Sequence, residues 1–125
     1  MNSTLLLGAT GQLGSDLIQV LRKRGHTILA PSLEELDITE QGAVEAYVNS
    51  HRPTVVINTA AFLRVDDCED EYETAWRVNA YAARNLAIVC QGIGATLVHV
   101  STDYVFGGHP GQENAWSESD APSPL

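Results

Sequence analysis

The 125-residue sequence has few cysteines, few basic residues and no long apolar run. Its two cysteines, Cys68 and Cys90, cannot build a disulfide framework and lack the paired spacing of a zinc site, so we expect reduced thiols and no metal centre. The sequence has seven Lys and Arg residues and 16 Asp and Glu residues, which gives a formal net charge of -9. A chain this acidic is not expected to bind nucleic acid, which requires a basic surface. No apolar segment approaches the length of a membrane span and no signal-peptide pattern precedes the first strand, so we expect a cytoplasmic protein.

Glycines carry the clearest positive signal in the sequence. In the opening run LLLGATGQLG, an apolar strand over 5–7 is followed by Gly8, Gly11 and Gly14 at three-residue spacing. The pattern is typical of a dinucleotide-binding turn, in which the first glycine permits a sharp bend, the second lets backbone approach a pyrophosphate, and the third lets a helix pack on the strand. A helix beginning near Gln12 directs unpaired N–H groups toward the phosphates. The alternative is a structural turn whose glycines only permit tight packing.

Segments with strand-like and helix-like periodicity alternate along the chain. Strands are predicted at 5–7, 26–30, 54–58 and 96–100, and helices from Gln12 to about 24, over 40–49 with Thr39 as N-cap, and from about 72 to 91. The β-branched run at 54–58 is typical of a strand buried on both faces of a parallel sheet. We therefore predict the α/β class, with a doubly wound parallel sheet and a ligand site at the carboxyl ends of its strands.

Small and hydroxyl-bearing residues follow the third and fourth predicted strands. After the third, the small residues Thr59, Ala60 and Ala61 let a flat cofactor lie close to the backbone. After the fourth, Ser101, Thr102 and Asp103 place two hydroxyls and a carboxylate at the crevice, where a hydroxyl could polarise a substrate carbonyl for hydride attack. The same residue types also form ordinary turns and helix caps, so that alternative stays open. His99 is predicted to be a packed or hydrogen-bonded core residue rather than a ligand.

Five short motifs recur in the same order in one family: GATGQLG at 8–14, LDIT at 36–39, INTAAF at 57–62, VNA at 78–80 and STDYVFGG at 101–108. On these motifs the chain resembles the N-terminal part of an extended short-chain dehydrogenase/reductase, and it most resembles the dTDP-4-dehydrorhamnose reductase family. The resemblance implies that 1–125 are the N-terminal portion of a Rossmann-type NAD(P)-binding domain. Residues 107–125, rich in Gly, Pro and Ser, are predicted to be a loop-like tail.

The resemblance also implies an activity and a set of binding residues. The intact protein would be an NAD(P)H-dependent oxidoreductase that reduces the C4 keto group of a nucleotide-linked sugar, converting dTDP-4-dehydro-L-rhamnose to dTDP-L-rhamnose; a homodimer is left open. The dinucleotide contacts implied are Gly8, Gly11, Gln12, Leu13, Gly14, Asp37, Ile38, Ala60, Ala61 and Phe62. Of these, 11–13 would contact the pyrophosphate, 37–38 flank the adenine, and 60–62 line the nicotinamide side. Thr102 would be the catalytic hydroxyl and, with Asp103, a substrate contact.

One motif of that family is absent from the sequence. Family members take the proton from a Tyr-x-x-x-Lys pair, but the four tyrosines here are followed four residues later by His51, Trp76, Asn85 and Gly108. Because the segment WSESDAPSPL resembles the one just ahead of the catalytic Tyr, we expect the chain to stop before that motif and to lack acid catalysis on its own. The alternative is a non-catalytic NADP-binding module that resembles the regulatory β subunit of methionine adenosyltransferase. An epimerase or dehydratase of the same superfamily is a weaker third option.

The sequence leaves the choice of coenzyme open. An acidic residue at the end of the second strand favours NAD and an Arg favours NADP, but Pro31, Ser32 and Leu33 occupy that turn. Asp37 lies near the spacing expected of a ribose-binding acid, yet within LDIT it is assigned to the adenine. We therefore favour NADP or dual use. The acidic residues between 66 and 73 are predicted to form a solvated helix face rather than a cation site.

Overall fold

A four-stranded parallel sheet forms the centre of the molecule. The computed structural model describes residues 3–107 and 115–124. The strands are β1 (Ser3–Leu7), β2 (Thr27–Leu29), β3 (Val55–Asn58) and β4 (Thr96–His99), in the spatial order β2-β1-β3-β4. Every pair is parallel, and Leu5 of β1 lies opposite both Leu29 and Val56. All carboxyl ends therefore meet at one edge, and the predicted parallel α/β fold is confirmed.

Helices cover the two faces of this sheet unequally. They are α1 (Gln12–Lys23), α2 (Gln41–His51), α3 (Val65–Asp70), α4 (Tyr72–Trp76) and α5 (Ala82–Ile93). The crossover from β1 to β2 moves along the sheet in one direction, and the crossover from β2 to β3 moves in the other, past β1. Because both crossovers are right-handed, their helices α1 and α2 lie on opposite faces of the sheet. The α2 helix packs against α5, whereas α1 packs mainly over β1 and β2.

The hydrophobic core lies between the sheet and the α2–α5 pair. Alternate residues of β1 and β3 enter it and meet buried residues of both helices: Leu5, Leu7, Val44, Val48, Val56, Ala82, Leu86, Val89 and Cys90. Burial of one such Leu or Val side chain stabilises the fold by about 1.5–3 kcal/mol. This packing makes the sheet rigid, and the rigid sheet fixes the positions of the loops at its carboxyl edge.

The helical segment predicted from about 72 to 91 is helical throughout but not regular. Between α4 and α5, residues Arg77–Tyr81 form a π-helical turn, which widens the helix by one residue. The last helical residue is Ile93, two residues beyond the predicted end, and the Gly94 that follows has a φ of 72°, the left-handed value that favours glycine. The Ala95 N–H then donates to the carbonyl of Cys90 at 2.9 Å and closes the helix. Hydrophobic spacing carries no information on the π turn, so the sequence did not predict it.

Two details of the sequence-based fold are wrong. Thr39 does not cap α2: the N-cap is Glu40, without a side-chain cap bond, because the Thr39 hydroxyl donates to Asp37 instead. Strand β3 is not buried on both faces, since Val56 is fully buried but Val55 is only half-buried. The reason for the second error is that α1 covers β1 and β2 rather than the whole sheet.

The end of the chain packs against the loop after β4. Of the predicted loop-like tail, 108–114 and 125 lie outside the described residues, and 115–124 contain no helix or strand. The Ser123 N–H donates to the Val105 carbonyl at 2.8 Å. The rings of Phe106 and Trp116 stack with centroids 5.3 Å apart.

Candidate functional site

The glycine turn after β1 is built around two close backbone approaches. Gly8 has a φ of 77°, and a Cβ placed there would lie 2.6 Å from the backbone nitrogen of Ala60. Gly14 is buried, and a Cβ there would overlap Gly8 and lie 2.9 Å from the Cα of Ala9. Gly8 therefore lets the turn touch the end of β3, and Gly14 lets α1 pack on the turn. The bend and the helix contact that the sequence assigned to the first and third glycines are both present.

The N-terminus of α1 is open to a ligand. Its N-cap is Gly11, in extended conformation and without a side-chain cap bond. The first intrahelical bond runs from Ser15 N to the Gly11 carbonyl, so the N–H groups of 12–14 precede the helix ladder. Such groups, together with the helix dipole, attract anions such as a pyrophosphate. A Cβ on Gly11 would meet only the Gly8 carbonyl oxygen, at 3.3 Å, so the space beside it is otherwise free.

Two adjoining cavities run along the carboxyl edge of the sheet. The first, of about 720 Å³, extends from the glycine turn to the segment after β2, and the second, of about 570 Å³, extends from the start of α1 to the end of β4. They share one wall, formed by Gly11, Thr59, Ala60, Ala61 and Leu63. Each volume lies within the range of small-molecule sites, and the shared wall makes them one crevice.

All but one of the predicted site residues line this crevice. The first cavity is lined by Gly8, Gly11, Asp37, Ile38, Ala60, Ala61 and Phe62, and the second by Gly11, Gln12, Leu13, Gly14, Ala60, Ala61 and Thr102. Asp103 lines neither cavity. Phe62 lies in the first cavity with Asp37 and is absent from the second, which holds Thr102.

Asp37 forms a local turn rather than pointing freely into the crevice. Its Oδ1 accepts hydrogen bonds from both the N–H and the hydroxyl of Thr39, each at 2.8 Å. Ile38, between them, is 6% exposed and belongs to the core cluster. Two interactions therefore make the LDIT segment a rigid part of the cavity wall. The Ile38 side chain packs into the core, and the Asp37 carboxylate is hydrogen-bonded to Thr39.

Thr102 caps the 3-10 helix formed by Asp103–Phe106, whose first residue is Asp103. The Thr102 hydroxyl oxygen accepts from the Tyr104 N–H, and its proton is directed to Asp103 Oδ1, both at 3.3 Å. Of the two roles that the sequence left open for Thr102, the hydrogen bonds within the chain therefore correspond to the helix cap. Both bonds are long for a hydroxyl, and Thr102 is exposed, so its hydroxyl can turn to a ligand in the second cavity.

His99 is hydrogen-bonded, as expected, but it is exposed rather than part of the core. Its Nδ1 lies 3.1 Å from the amide nitrogen of Asn58, which is fully buried and accepts from the Ala60 N–H at 3.1 Å through its Oδ1. The prediction failed because β4 is an edge strand among the described residues, so side chains that alternate inside an apolar run still reach the surface.

Two further residues shape the crevice: Asn79, which was not singled out from the sequence, and Thr59, which was expected only as a small residue after the third strand. The amide of Asn79, in the π turn, accepts from the Phe62 N–H at 2.8 Å and donates to the Phe62 carbonyl at 2.9 Å. The Thr59 hydroxyl donates to the Leu7 carbonyl at 2.8 Å and joins the ends of β1 and β3. Both lie inside motifs quoted above, VNA and INTAAF. The motifs were visible, but their pairing depends on the tertiary fold.

Acidic residues and cysteines supply no other site. In the described part of the chain no group of three His, Cys, Asp or Glu side chains could hold a metal ion. Of the acidic residues near α3, Asp67 pairs with Arg64 at 3.1 Å. Burial raises the pKa of the Cys90 thiol, which is 1% exposed. Among the described residues no helix is long and apolar enough to cross a bilayer.

The parallel sheet, the glycine turn and the crevice at the carboxyl edge define a doubly wound domain of the dinucleotide-binding class. The family model described as "RmlD substrate binding domain" matches residues 1–125. The chain therefore belongs to the dTDP-4-dehydrorhamnose reductase family.

Relatives with established descriptions support this assignment. The chain is 44% identical over 113 residues to a dTDP-4-dehydrorhamnose reductase of Streptomyces griseus, covering 88% of the chain and 37% of the relative. It is 41% identical over 121 residues to a dTDP-4-keto-6-deoxy-D-glucose reductase of Streptomyces niveus, covering 97% and 41%. The chain thus spans about two fifths of the length of these relatives.

Solved structures agree with the fold and supply examples of bound coenzyme. The dTDP-4-dehydrorhamnose reductase of Bacillus anthracis, solved in complex with NADP, superposes with a TM-score of 0.90 at 37% identity, covering 99% of this chain and 44% of that one. A Thermus thermophilus UDP-glucose 4-epimerase, solved with NAD, gives 0.83 at 26% identity, covering 98% and 44%. Within this fold, structures are therefore known with either coenzyme.

Proposed function

We propose that the protein containing this chain reduces the C4 keto group of a nucleotide-linked sugar with a reduced nicotinamide dinucleotide, and that residues 1–125 supply the coenzyme site. The substrate proposed is dTDP-4-dehydro-L-rhamnose and the product dTDP-L-rhamnose. The observation that carries the proposal is the continuous crevice, which joins the open N-terminus of α1 to Thr102 across a shared wall of small residues. The related reductases are consistent with sugar-nucleotide chemistry.

The residues present fit a dinucleotide. A pyrophosphate suits the N–H groups that begin α1, and the small side chains of Ala60 and Ala61 let a planar ring approach the backbone. The rigid segment 37–38 offers a flat wall to an adenine. When bound, a reduced nicotinamide supplies a hydride to a carbonyl carbon.

In this proposal Thr102 holds the substrate. Its hydroxyl lines the second cavity, and the two long hydrogen bonds that it now makes are weak enough to exchange for one to a keto oxygen. A hydrogen bond of this kind stabilises the negative charge that develops on the oxygen. Asp103 Oδ1 accepts a hydrogen bond from the Thr102 hydroxyl and Asp103 does not line the cavity, so its proposed substrate contact is at the rim.

Residues 1–125 are proposed to bind coenzyme without turnover by themselves. None of the four tyrosines has a Lys four residues later, so no tyrosine here matches the acid of the family motif. A second candidate function is an NADP-binding regulatory module without catalysis. A cytoplasmic location is proposed for either, supported by two cysteines that are both free thiols.

A chimaeric protein separates the two functions. Residues 1–125 would be joined to the remaining part of the Streptomyces griseus relative, and oxidation of the reduced coenzyme would be followed by absorbance with dTDP-4-dehydro-L-rhamnose. If the protein is a reductase, the chimaera should turn over, and residues 1–125 alone should bind coenzyme without turnover. Thr102→Val should lower the kcat of the chimaera about a hundredfold. Thr96→Val on β4, whose side chain lines neither cavity, is the matched control. Coenzyme binding by a folded chimaera without turnover would favour the regulatory module.

A further inference from the structure

A row of hydrogen bonds joins the carboxyl ends of β4, β3 and β1. His99 ends β4 and lies opposite Asn58, the last residue of β3. Asn58 is fully buried; its amide nitrogen lies 3.1 Å from His99 Nδ1, and its Oδ1 accepts from the Ala60 N–H at 3.1 Å. The neighbouring Thr59 hydroxyl donates to the Leu7 carbonyl of β1 at 2.8 Å. The end of β3 is thus bonded through side chains to the strands on both sides of it.

These bonds determine which ring nitrogen of His99 carries the proton. A backbone N–H only donates, so the Asn58 atom that faces Ala60 is the amide oxygen. The amide nitrogen, which also only donates, therefore faces His99, and Nδ1 of the ring must be the acceptor. A neutral imidazole has one N–H proton, so His99 carries it on Nε2.

The backbone nitrogen of Ala60 lies where the crevice has little free space. Ala60 belongs to the wall that the two cavities share. Its nitrogen would lie 2.6 Å from a Cβ placed on Gly8, so the loop after β3 and the glycine turn are in close contact there. Because this nitrogen donates to Asn58, the Asn58 amide sets the position of the shared wall relative to the glycine turn.

We propose that His99 is a positioning residue of the coenzyme site, which acts through Asn58 on the backbone of Ala60. Neutral His99 accepts from the Asn58 amide and thereby keeps the amide oxygen turned toward the Ala60 N–H. Without an acceptor at Nδ1 the buried amide nitrogen loses its partner, and rotation of the amide toward another acceptor releases Ala60. The inference rests on the proposed function, because it takes the crevice as the coenzyme site.

The first test is the protonation pattern of the His99 ring in the free chain, read from the chemical shifts of its two nitrogens in NMR spectra at pH 8. We expect the proton on Nε2. His51 is the control in the same spectrum: its Nδ1 lies 2.9 Å from the Tyr47 carbonyl, which only accepts, so its proton should be on Nδ1. A proton on Nδ1 of His99, or an even mixture of the two forms, would overturn the proposal whatever the chain binds.

The second test is calorimetric titration of matched variants with NADPH and with NADH. His99→Asn places an amide oxygen near the position of Nδ1 and should keep each Kd within about twofold of that of the unchanged chain. His99→Leu has nearly the same size as His99→Asn but offers no acceptor, and it should raise each Kd about tenfold. His51→Leu removes a histidine that lines neither cavity and should leave each Kd unchanged.

The outcomes separate the role of His99 from the existence of the site. Thermal melts would verify that each variant is folded, and the ring measurement on the unchanged chain does not depend on any variant. Equal Kd values for folded His99→Asn and His99→Leu would overturn the positioning role and leave the coenzyme site standing. Failure of the folded, unchanged chain to bind either coenzyme would overturn the site and the positioning role together.

Discussion

At the scale of single residues, the glycine turn is determined by contacts that no other side chain allows. Gly8 combines a left-handed φ with a backbone neighbour at 2.6 Å from any Cβ, so conformation and space both require glycine. Gly42, in the first turn of α2, has a helical environment and nothing within 4 Å of a Cβ. The same residue type is therefore essential at one position and replaceable at the other.

Gly8→Ala is expected to lower the free energy of unfolding by about 2–4 kcal/mol, because left-handed strain and the clash with Ala60 add. Gly42→Ala should raise it by about 0.5–1 kcal/mol, since alanine is the better helix former. Urea denaturation followed by circular dichroism measures both. Equal stability of Gly8→Ala and the unchanged chain would show that the turn can be built in another way.

The two thiols should react at different rates. Burial raises the pKa of Cys90 above its ordinary value of 9.0, whereas Cys68 is only half-buried and donates to the Phe62 carbonyl at 3.7 Å. At pH 8 a thiol reagent should modify Cys68 first and Cys90 only after urea is added. Mass spectrometry of Cys68→Ser and Cys90→Ser variants assigns the two rates. Fast labelling of Cys90 in the folded chain would contradict the packing between α5 and the sheet.

The same pKa shift predicts a pH dependence of stability. Above pH 9 the unfolded chain loses the Cys90 proton while the folded chain keeps it, so the unfolded state binds fewer protons and the free energy of unfolding falls as pH rises through the folded pKa. Below pH 9 the contribution is fully present. Cys90→Ala should flatten this part of the profile in urea denaturation series, and an unchanged slope would exclude Cys90 as its source.

At the scale of elements, the π turn between α4 and α5 holds the loop that follows β3. It places Asn79 where both ends of its amide bond the backbone of Phe62. That loop contributes Ala60 and Ala61 to the wall shared by the two cavities. The π turn is thus connected to the proposed coenzyme site through the side chain of Asn79.

Asn79→Ala should weaken coenzyme binding about tenfold and lower the free energy of unfolding by about 1–3 kcal/mol, since two backbone groups lose their partner. Asn85→Ala, farther along the same helix, removes an amide whose oxygen accepts from Arg84 at 3.4 Å and should change neither quantity by much. Calorimetry and urea denaturation provide the two values. Unchanged coenzyme affinity in Asn79→Ala would show that the π turn does not influence the proposed coenzyme site.

The sequence predicts these elements unevenly, for a physical reason. The strands, α1, α2 and the helical segment that begins at Tyr72 follow from local periodicity and were found within a residue or two, and the glycine turn follows from a spacing of three residues. The short helix α3 was not predicted as a separate element. The contact of Asn79 with Phe62 joins residues 17 positions apart through a side chain. The Asn58–His99 pair depends on the register of two strands. Such pairings are set by the tertiary fold, and a single sequence does not contain them explicitly.

At the scale of the whole molecule, one face of the sheet is much less covered than the other. Core side chains collect under α2 and α5, while Leu13 and Val20 of α1 are 46% and 45% exposed. Val98 on β4, an edge strand among the described residues, is 46% exposed as well. Apolar groups of this size on an edge strand favour association between chains.

The chain is therefore expected to self-associate as its concentration rises. Val98→Lys should reduce that association, because a charge on an edge strand opposes strand pairing. Ser50→Lys, on the exposed end of α2, is the control that adds the same charge elsewhere. Sedimentation velocity over a hundredfold range of concentration gives the answer, and a chain that stays monomeric throughout would contradict the expectation.

The crevice at the carboxyl edge of the sheet is proposed to bind a nicotinamide dinucleotide. A titration of the isotopically labelled chain with NADH, followed through the backbone amide signals in NMR spectra, tests this binding residue by residue. Saturable shifts are expected at the amides of 8–14 and 59–62, and in the segment 31–39, with little change along α2 and the far end of α5. A folded chain whose amide signals do not move, or move only outside those three segments, would contradict it.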